Sequence, residues 1–87
     1  MPAKIASAFA ARLRRNPQAT VAAIVRVSIA PDEAAARLTE RGATVRRVVR
    51  LVPAVAVQMP AAEFLALAKE TWVSSVEEDK AVHTLQT

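Results

Sequence analysis

Side chains that carry catalysis are scarce in this 87-residue sequence. There is no cysteine, and the one histidine, His83, lies in a patternless tail, so neither a Cys–His nor a Ser–His–Asp arrangement has a positioned base. The lysines are predicted to be exposed, whereas a Schiff-base lysine must be buried. A single glycine leaves no Gly-rich phosphate loop. The sequence therefore predicts a protein without enzymatic activity, cofactor or metal.

The densest group of charged residues is the acidic run Glu77-Glu78-Asp79. Two carboxylates can hydrolyse a bond when they flank it, but successive residues of an extended segment point to opposite sides. Glu77 and Asp79 therefore share one side of the segment, and Glu78 projects to the other. On the residues alone, a solvated polar edge is the simpler interpretation.

Basic residues dominate the first part of the chain. The net charge is +4, and the first 31 residues contain five basic residues and no acid. Nucleic acid, an anionic membrane surface or an acidic protein face would each attract such a charge, although solubility alone also accounts for it. The strands that should hold Arg26, Arg46, Arg47 and Arg50 lack aromatic residues for base stacking, so we expect at most weak binding of nucleic acid.

Alternation and helical spacing divide the chain into seven elements. Residues 3–15 carry Ile5, Phe9 and Leu13 on one helical face and end at Asn16-Pro17. Strands are predicted where β-branched residues alternate, and helices where Pro31 and Pro60 open apolar stripes. The predicted order is helix 3–15, strand 20–29, helix 31–41, strand 44–51, strand 54–59, a helix from 60, and strand 71–78.

After the first helix, this order is β-α-β-β-α-β, which predicts an α+β ferredoxin-like sandwich. Four antiparallel strands in the order 4-1-3-2 would carry two helices on one face. We expect a core of Val21, Val25, Val27, Leu38, Val49, Val57, Leu65 and Val73, and an irregularity in the last strand, where Val73 and Val76 differ in parity. The face without helices, called the open face below, should present Ala22, Ile24, Val48, Ala54 and Ala56, ringed by Arg26, Arg46 and Arg50.

Three regions are expected: a basic amphipathic helix in 1–18, the sandwich in 19–79 and an exposed tail in 80–87. No stretch is apolar for long enough to span a membrane. Positive charges follow the first apolar run rather than precede it, so we expect no signal peptide and a cytoplasmic protein. A basic amphipathic helix can bind a membrane or a partner protein. Since the apolar stripe of the N-terminal helix has only three large residues, we expect it instead to fold back on the domain or to be an extension without a role.

The stretch from Val25 to Leu85 resembles the propeptide domain of subtilisin-like serine proteases and the free-standing inhibitors built on that domain. The resemblance runs through the Arg41-Gly42 helix end, the Val45–Met59 hairpin and the second helix of the sandwich. It is clearest in the last strand, which typically reads hydrophobic-x-x-Val-Glu-Glu-Asp in that family and reads Trp72 to Asp79 here.

The resemblance implies docking of the open face on two surface helices of a protease, with the acids capping the N-termini of those helices. The implied docking residues are Glu77, Glu78, Asp79, Ile24, Val48, Ala54 and Ala56. The tail would enter the active-site cleft through Val82, His83, Thr84 and Leu85, with Leu85 before the scissile position. Since no protease domain follows residue 87, we expect action in trans, as an inhibitor or a folding helper.

The sequence departs from the family pattern at both ends. The basic helix 3–15 has no counterpart in it, and Gln86 and Thr87 extend beyond the scissile position, where the tail would itself be open to cleavage. Two alternatives stay open: a self-associating structural domain that forms a homo-oligomer through the open face, and a weak nucleic-acid binder that uses the arginines.

Overall fold

The computed structural model describes residues 4–79. These residues form a four-stranded antiparallel sheet and three helices, which is the α+β ferredoxin-like architecture predicted from the sequence. The elements are α1 (Ser7–Arg15), β1 (Thr20–Val27), α2 (Pro31–Glu40), β2 (Thr44–Val49), β3 (Ala54–Pro60), α3 (Ala61–Leu67) and β4 (Val73–Glu78).

Helix α2 has start and stop signals that can be seen in the sequence. Pro31 occupies its first turn, and Asp32 and Glu33 place negative charge near its N-terminus. Beyond its C-terminus Gly42 adopts φ +93°, a region that disfavours side chains with a Cβ. The amide of Ala43 then donates to the carbonyl of Leu38 at 3.0 Å, which closes the last turn before β2 begins.

The strand order is β2-β3-β1-β4, the order predicted from right-handed crossovers. Central strand β1 pairs with β3 and β4, so Ile24 is in register with Ala56 on one side and Glu77 on the other. The predicted irregularity in β4 is confirmed. Arg26 pairs with Ser75 and Val27 pairs with Val73, so one residue of β4 is left over between them.

Helix α1 belongs to the core of the domain. Ile5, Phe9 and Leu13 are buried in the same cluster as Phe64 and Leu67 of α3, so the predicted stripe does fold back on the domain. The segment before α1 also extends the sheet, because Ile5 forms a parallel bridge with Val76 and the Val76 amide donates to the Lys4 carbonyl at 2.8 Å.

Most of the predicted core is observed. Val25, Val27, Leu38, Val57 and Val73 are buried, while Val21 and Leu65 are partly buried and pack against the core. The face of the sheet that carries this core is the one covered by helices. The interior is aliphatic apart from Phe9, Phe64 and Trp72, as the composition predicted.

One face assignment is wrong, because β2 contains a bulge. Val45 pairs with Val57, but Arg47 pairs with Ala56 and Val48 with Val55, so the register shifts by one residue at Arg46. Beyond the shift, the alternation is inverted. Val48, predicted on the open face, lies on the side of buried Val55; Val49, predicted in the core, pairs with Ala54 on the open face and is only partly buried.

Candidate functional site: the open sheet face

The open face is built from rows of residues in register across the sheet. The central row runs Arg47, Ala56, Ile24 and Glu77 from β2 to β4. Residues paired directly across antiparallel strands project to the same side, so these four side chains share the open face. The row therefore has a cation at one edge, an anion at the other edge and apolar residues between them.

The middle of this face is lined by alanines. Ala54 and Ala56 are 4% and 1% exposed, although neither belongs to the core on the helix side. Their methyl groups are shorter than the neighbouring side chains, among them partly buried Ile24 and Val49, which rise around them. An apolar strip with side chains this short allows a helix or a second sheet to approach closely.

Charge on the open face is partly compensated. Arg26 of β1 forms an ion pair with Glu77 of β4 at 2.9 Å, with side chains that are 52% and 53% exposed. A pair this exposed contributes about 0–1 kcal/mol, so either partner can exchange it for another contact at little cost. Arg47 is exposed, and within residues 4–79 it takes part in no ion pair.

The three acids predicted to act together lie in different surroundings. Glu77 is exposed on the open face. Glu78 pairs with Ala23 in the sheet, projects to the helix side and forms an ion pair with Arg12 of α1. Asp79 is 5% exposed, and its amide donates to the Ala22 carbonyl at 3.2 Å. Only Glu77 of the three is both exposed and on the open face.

Of the remaining predicted site residues, some lie on the open face and others do not. Ile24, Ala54 and Ala56 lie together on the open face, as the alternation predicted. Val48 is absent from this face because of the bulge in β2. The predicted tail residues Val82, His83, Thr84 and Leu85 lie outside the described residues.

Arg47 is the residue of this face that sequence reasoning missed. Strict alternation places it on the core side, where a guanidinium has no partner. The sequence did contain a signal for this bulge. Arg46-Arg47 is followed by Val48-Val49, and each pair of like residues interrupts the alternation of polar and apolar residues. One extra residue at the arginine pair places Arg47 on the open face and Val48 on the core side.

Between Lys4 and Asp79, no group of three or more histidine, cysteine, aspartate or glutamate side chains is arranged to hold a metal ion. Over the same residues, no helix has the length and apolar character needed to cross a bilayer. No family model matches the chain, and a comparison with curated proteins likewise found no match.

Proposed function

We propose that this chain is a non-enzymatic inhibitor of a subtilisin-like serine protease, or a folding helper acting on one in trans. The open face docks on helices at the protease surface, and residues 80–87 enter the active-site cleft. The proposal joins the resemblance of Val25–Leu85 to protease propeptides with the geometry of the open face.

The observation that carries the proposal is the apolar strip made by buried Ala54 and Ala56 and partly exposed Ile24, on a sheet whose other face holds the whole core. Antiparallel sheets usually present polar residues on a face that is not covered. An apolar strip with a charged rim is typical of a surface that binds another protein. Two helices lying side by side are a common cover for a four-stranded sheet.

Glu77 supplies the polar contact in this arrangement. Its carboxylate is half exposed at the edge of the strip, where it pairs with Arg26 and accepts a 3.5 Å hydrogen bond from the Ser75 hydroxyl. The N-terminus of a docked helix offers unpaired N–H groups and a positive dipole end, which would replace Arg26 as the partner. Glu78 and Asp79, which the resemblance also implies as docking residues, would instead stabilise the end of β4 through their contacts with the domain.

The tail follows directly from the docking face, since it begins one residue after Asp79 at the end of β4. An extended segment can bind in a protease cleft as an added strand, with alternate side chains filling pockets. In the proposed alignment Val82 and Leu85 fill apolar subsites.

The test is a titration of subtilisin activity with the full chain and with a variant ending at Asp79. The full chain should inhibit, whereas the shortened variant should bind the protease without blocking cleavage. Long incubation should release the last two residues by cleavage after Leu85, detected by mass spectrometry. A folded full chain that neither inhibits nor binds a panel of subtilisins at micromolar concentration would contradict the proposal.

A second copy of the chain is the alternative occupant of the open face. The central row is complementary to itself, because a two-fold axis parallel to the strands would place Arg47 of each copy opposite Glu77 of the other. Sedimentation equilibrium separates the two proposals: a monomer at micromolar concentration that binds subtilisin favours the inhibitor, and a dimer that binds no protease favours self-association.

A further inference from the structure

The bulge in β2 brings an arginine onto the open face. Without the extra residue at Arg46, strict alternation from Val45 would place Arg47 on the core side and Val48 on the open face. With it, Arg47 lies on the open face at edge strand β2, in register with Ala56 of the apolar strip. Bulges commonly re-aim a side chain at a functional surface, and this one also breaks the regular hydrogen bonding of an edge strand.

Arg47 differs in its ion pairing from Arg26, which also lies on the open face. Arg26 is paired with Glu77 at 2.9 Å, but within residues 4–79 Arg47 takes part in no ion pair. In the free protein, water satisfies the exposed guanidinium. A partner that covers the apolar strip and extends over edge strand β2 takes water from this group, so an anionic or carbonyl group of the partner must replace that water.

We infer that the protease surface bound by this chain carries an aspartate or glutamate facing Arg47. The inference rests on the proposed function, and it specifies the partner further. Arg47 and Glu77 lie on outer strands, three strand spacings or about 14 Å apart. The partner surface therefore presents a helix N-terminus to Glu77 and, about 14 Å away, a carboxylate to Arg47, and this charge pattern fixes the orientation of docking.

The test compares the association rates of Arg47→Glu and Arg14→Glu with that of the wild type, measured by stopped flow on one subtilisin that the wild type binds. Both substitutions change the net charge equally, but exposed Arg14 lies on α1 and not on the open face. Arg47→Glu should slow association about tenfold at low salt. At about 0.5 M salt the difference in rate should be less than about twofold. Arg14→Glu should change the rate less than about twofold.

Two further measurements identify the partner group and check the fold. Replacing single carboxylates of the subtilisin docking surface with lysine should restore fast association of Arg47→Glu at one position only. Arg47→Gln, with unchanged circular dichroism and melting temperature, should fall between the wild type and Arg47→Glu.

The outcomes separate this inference from the proposed function. If the wild type binds no subtilisin, the proposed function fails and the inference fails with it. If the wild type binds but Arg47→Glu associates as fast as Arg14→Glu at low salt, only the inference is overturned. A homodimer of the wild type would give a second way to overturn the inference. If Arg47→Glu dissociates that dimer and the double variant Arg47→Glu with Glu77→Arg dimerises again, Arg47 faces a second copy of the chain.

Discussion

Replacement of Leu13 by alanine tests whether α1 is part of the core or an appendage. Leu13 is 1% exposed and lies in one cluster with Phe64 and Leu67 of α3. The substitution should lower the free energy of unfolding substantially, whereas Arg14→Ala, one residue along and exposed, should change it by less than about 0.5 kcal/mol.

The expected size follows from the burial. Leu→Ala removes three carbons at roughly 0.8 kcal/mol each, or about 2.4 kcal/mol of transfer free energy, and a residual cavity adds to this. We therefore expect a loss of about 3 kcal/mol. A chain of this length has a total stability of about 4–13 kcal/mol, so the variant stays folded but loses a large share of its stability.

Urea unfolding followed by fluorescence is a suitable assay, because Trp72 is the only tryptophan and is 7% exposed in the core. With a slope near 1.5 kcal/mol/M, the midpoint should fall by about 2 M for Leu13→Ala and stay almost unchanged for Arg14→Ala. Circular dichroism should give the same midpoints if unfolding is two-state. A loss below about 1 kcal/mol would refute the placement of α1 in the core.

Three smaller predictions follow from single residues. Gly42→Ala should lower the free energy of unfolding by about 1 kcal/mol because φ is +93° there, although a Cβ meets nothing within 4 Å; a thermal melt equal to the wild type would contradict this strain. Leu51→Ser should leave the free energy of unfolding within about 0.5 kcal/mol of the wild type, since Leu51 is 95% exposed, and a larger loss in urea would contradict that exposure. Glu77→Ala should weaken binding to subtilisin by about 0.3–1 kcal/mol in calorimetry, and unchanged affinity would remove Glu77 from the docking site.

The sheet was predictable because its information is local. β-Branched residues alternate in 20–29 and 54–59, and the observed strands Thr20–Val27 and Ala54–Pro60 put Val25, Val55 and Val57 on the core side, as expected. The strand order followed from the order of the elements and from the handedness of crossovers. The same alternation placed Ile24, Ala54 and Ala56 on the open face.

The errors arose where tertiary packing overrides the local pattern. The bulge at Arg46 exchanges the faces of Val48 and Val49. The position of this one-residue shift depends on the free-energy cost of burying the two arginines in each alternative register. Asp79 reads as the last residue of a polar edge, but it is buried, and its amide donates to the Ala22 carbonyl of β1. The doublets signal a break in the alternation, but the register of the bulge and the burial of Asp79 depend on the residues of neighbouring strands.

The most direct test of the docking claim uses a subtilisin whose nucleophilic serine is replaced by alanine, so that the chain binds without being cleaved. Calorimetry would compare the wild type with Ile24→Asp, in the central row of the open face, and with Ala36→Asp, an exposed position on α2. If the open face docks, Ile24→Asp weakens binding by about 30-fold or more, since a carboxylate is desolvated against an apolar surface, and Ala36→Asp binds like the wild type. Equal affinities for Ile24→Asp and the wild type, with both proteins folded, would contradict docking through this face.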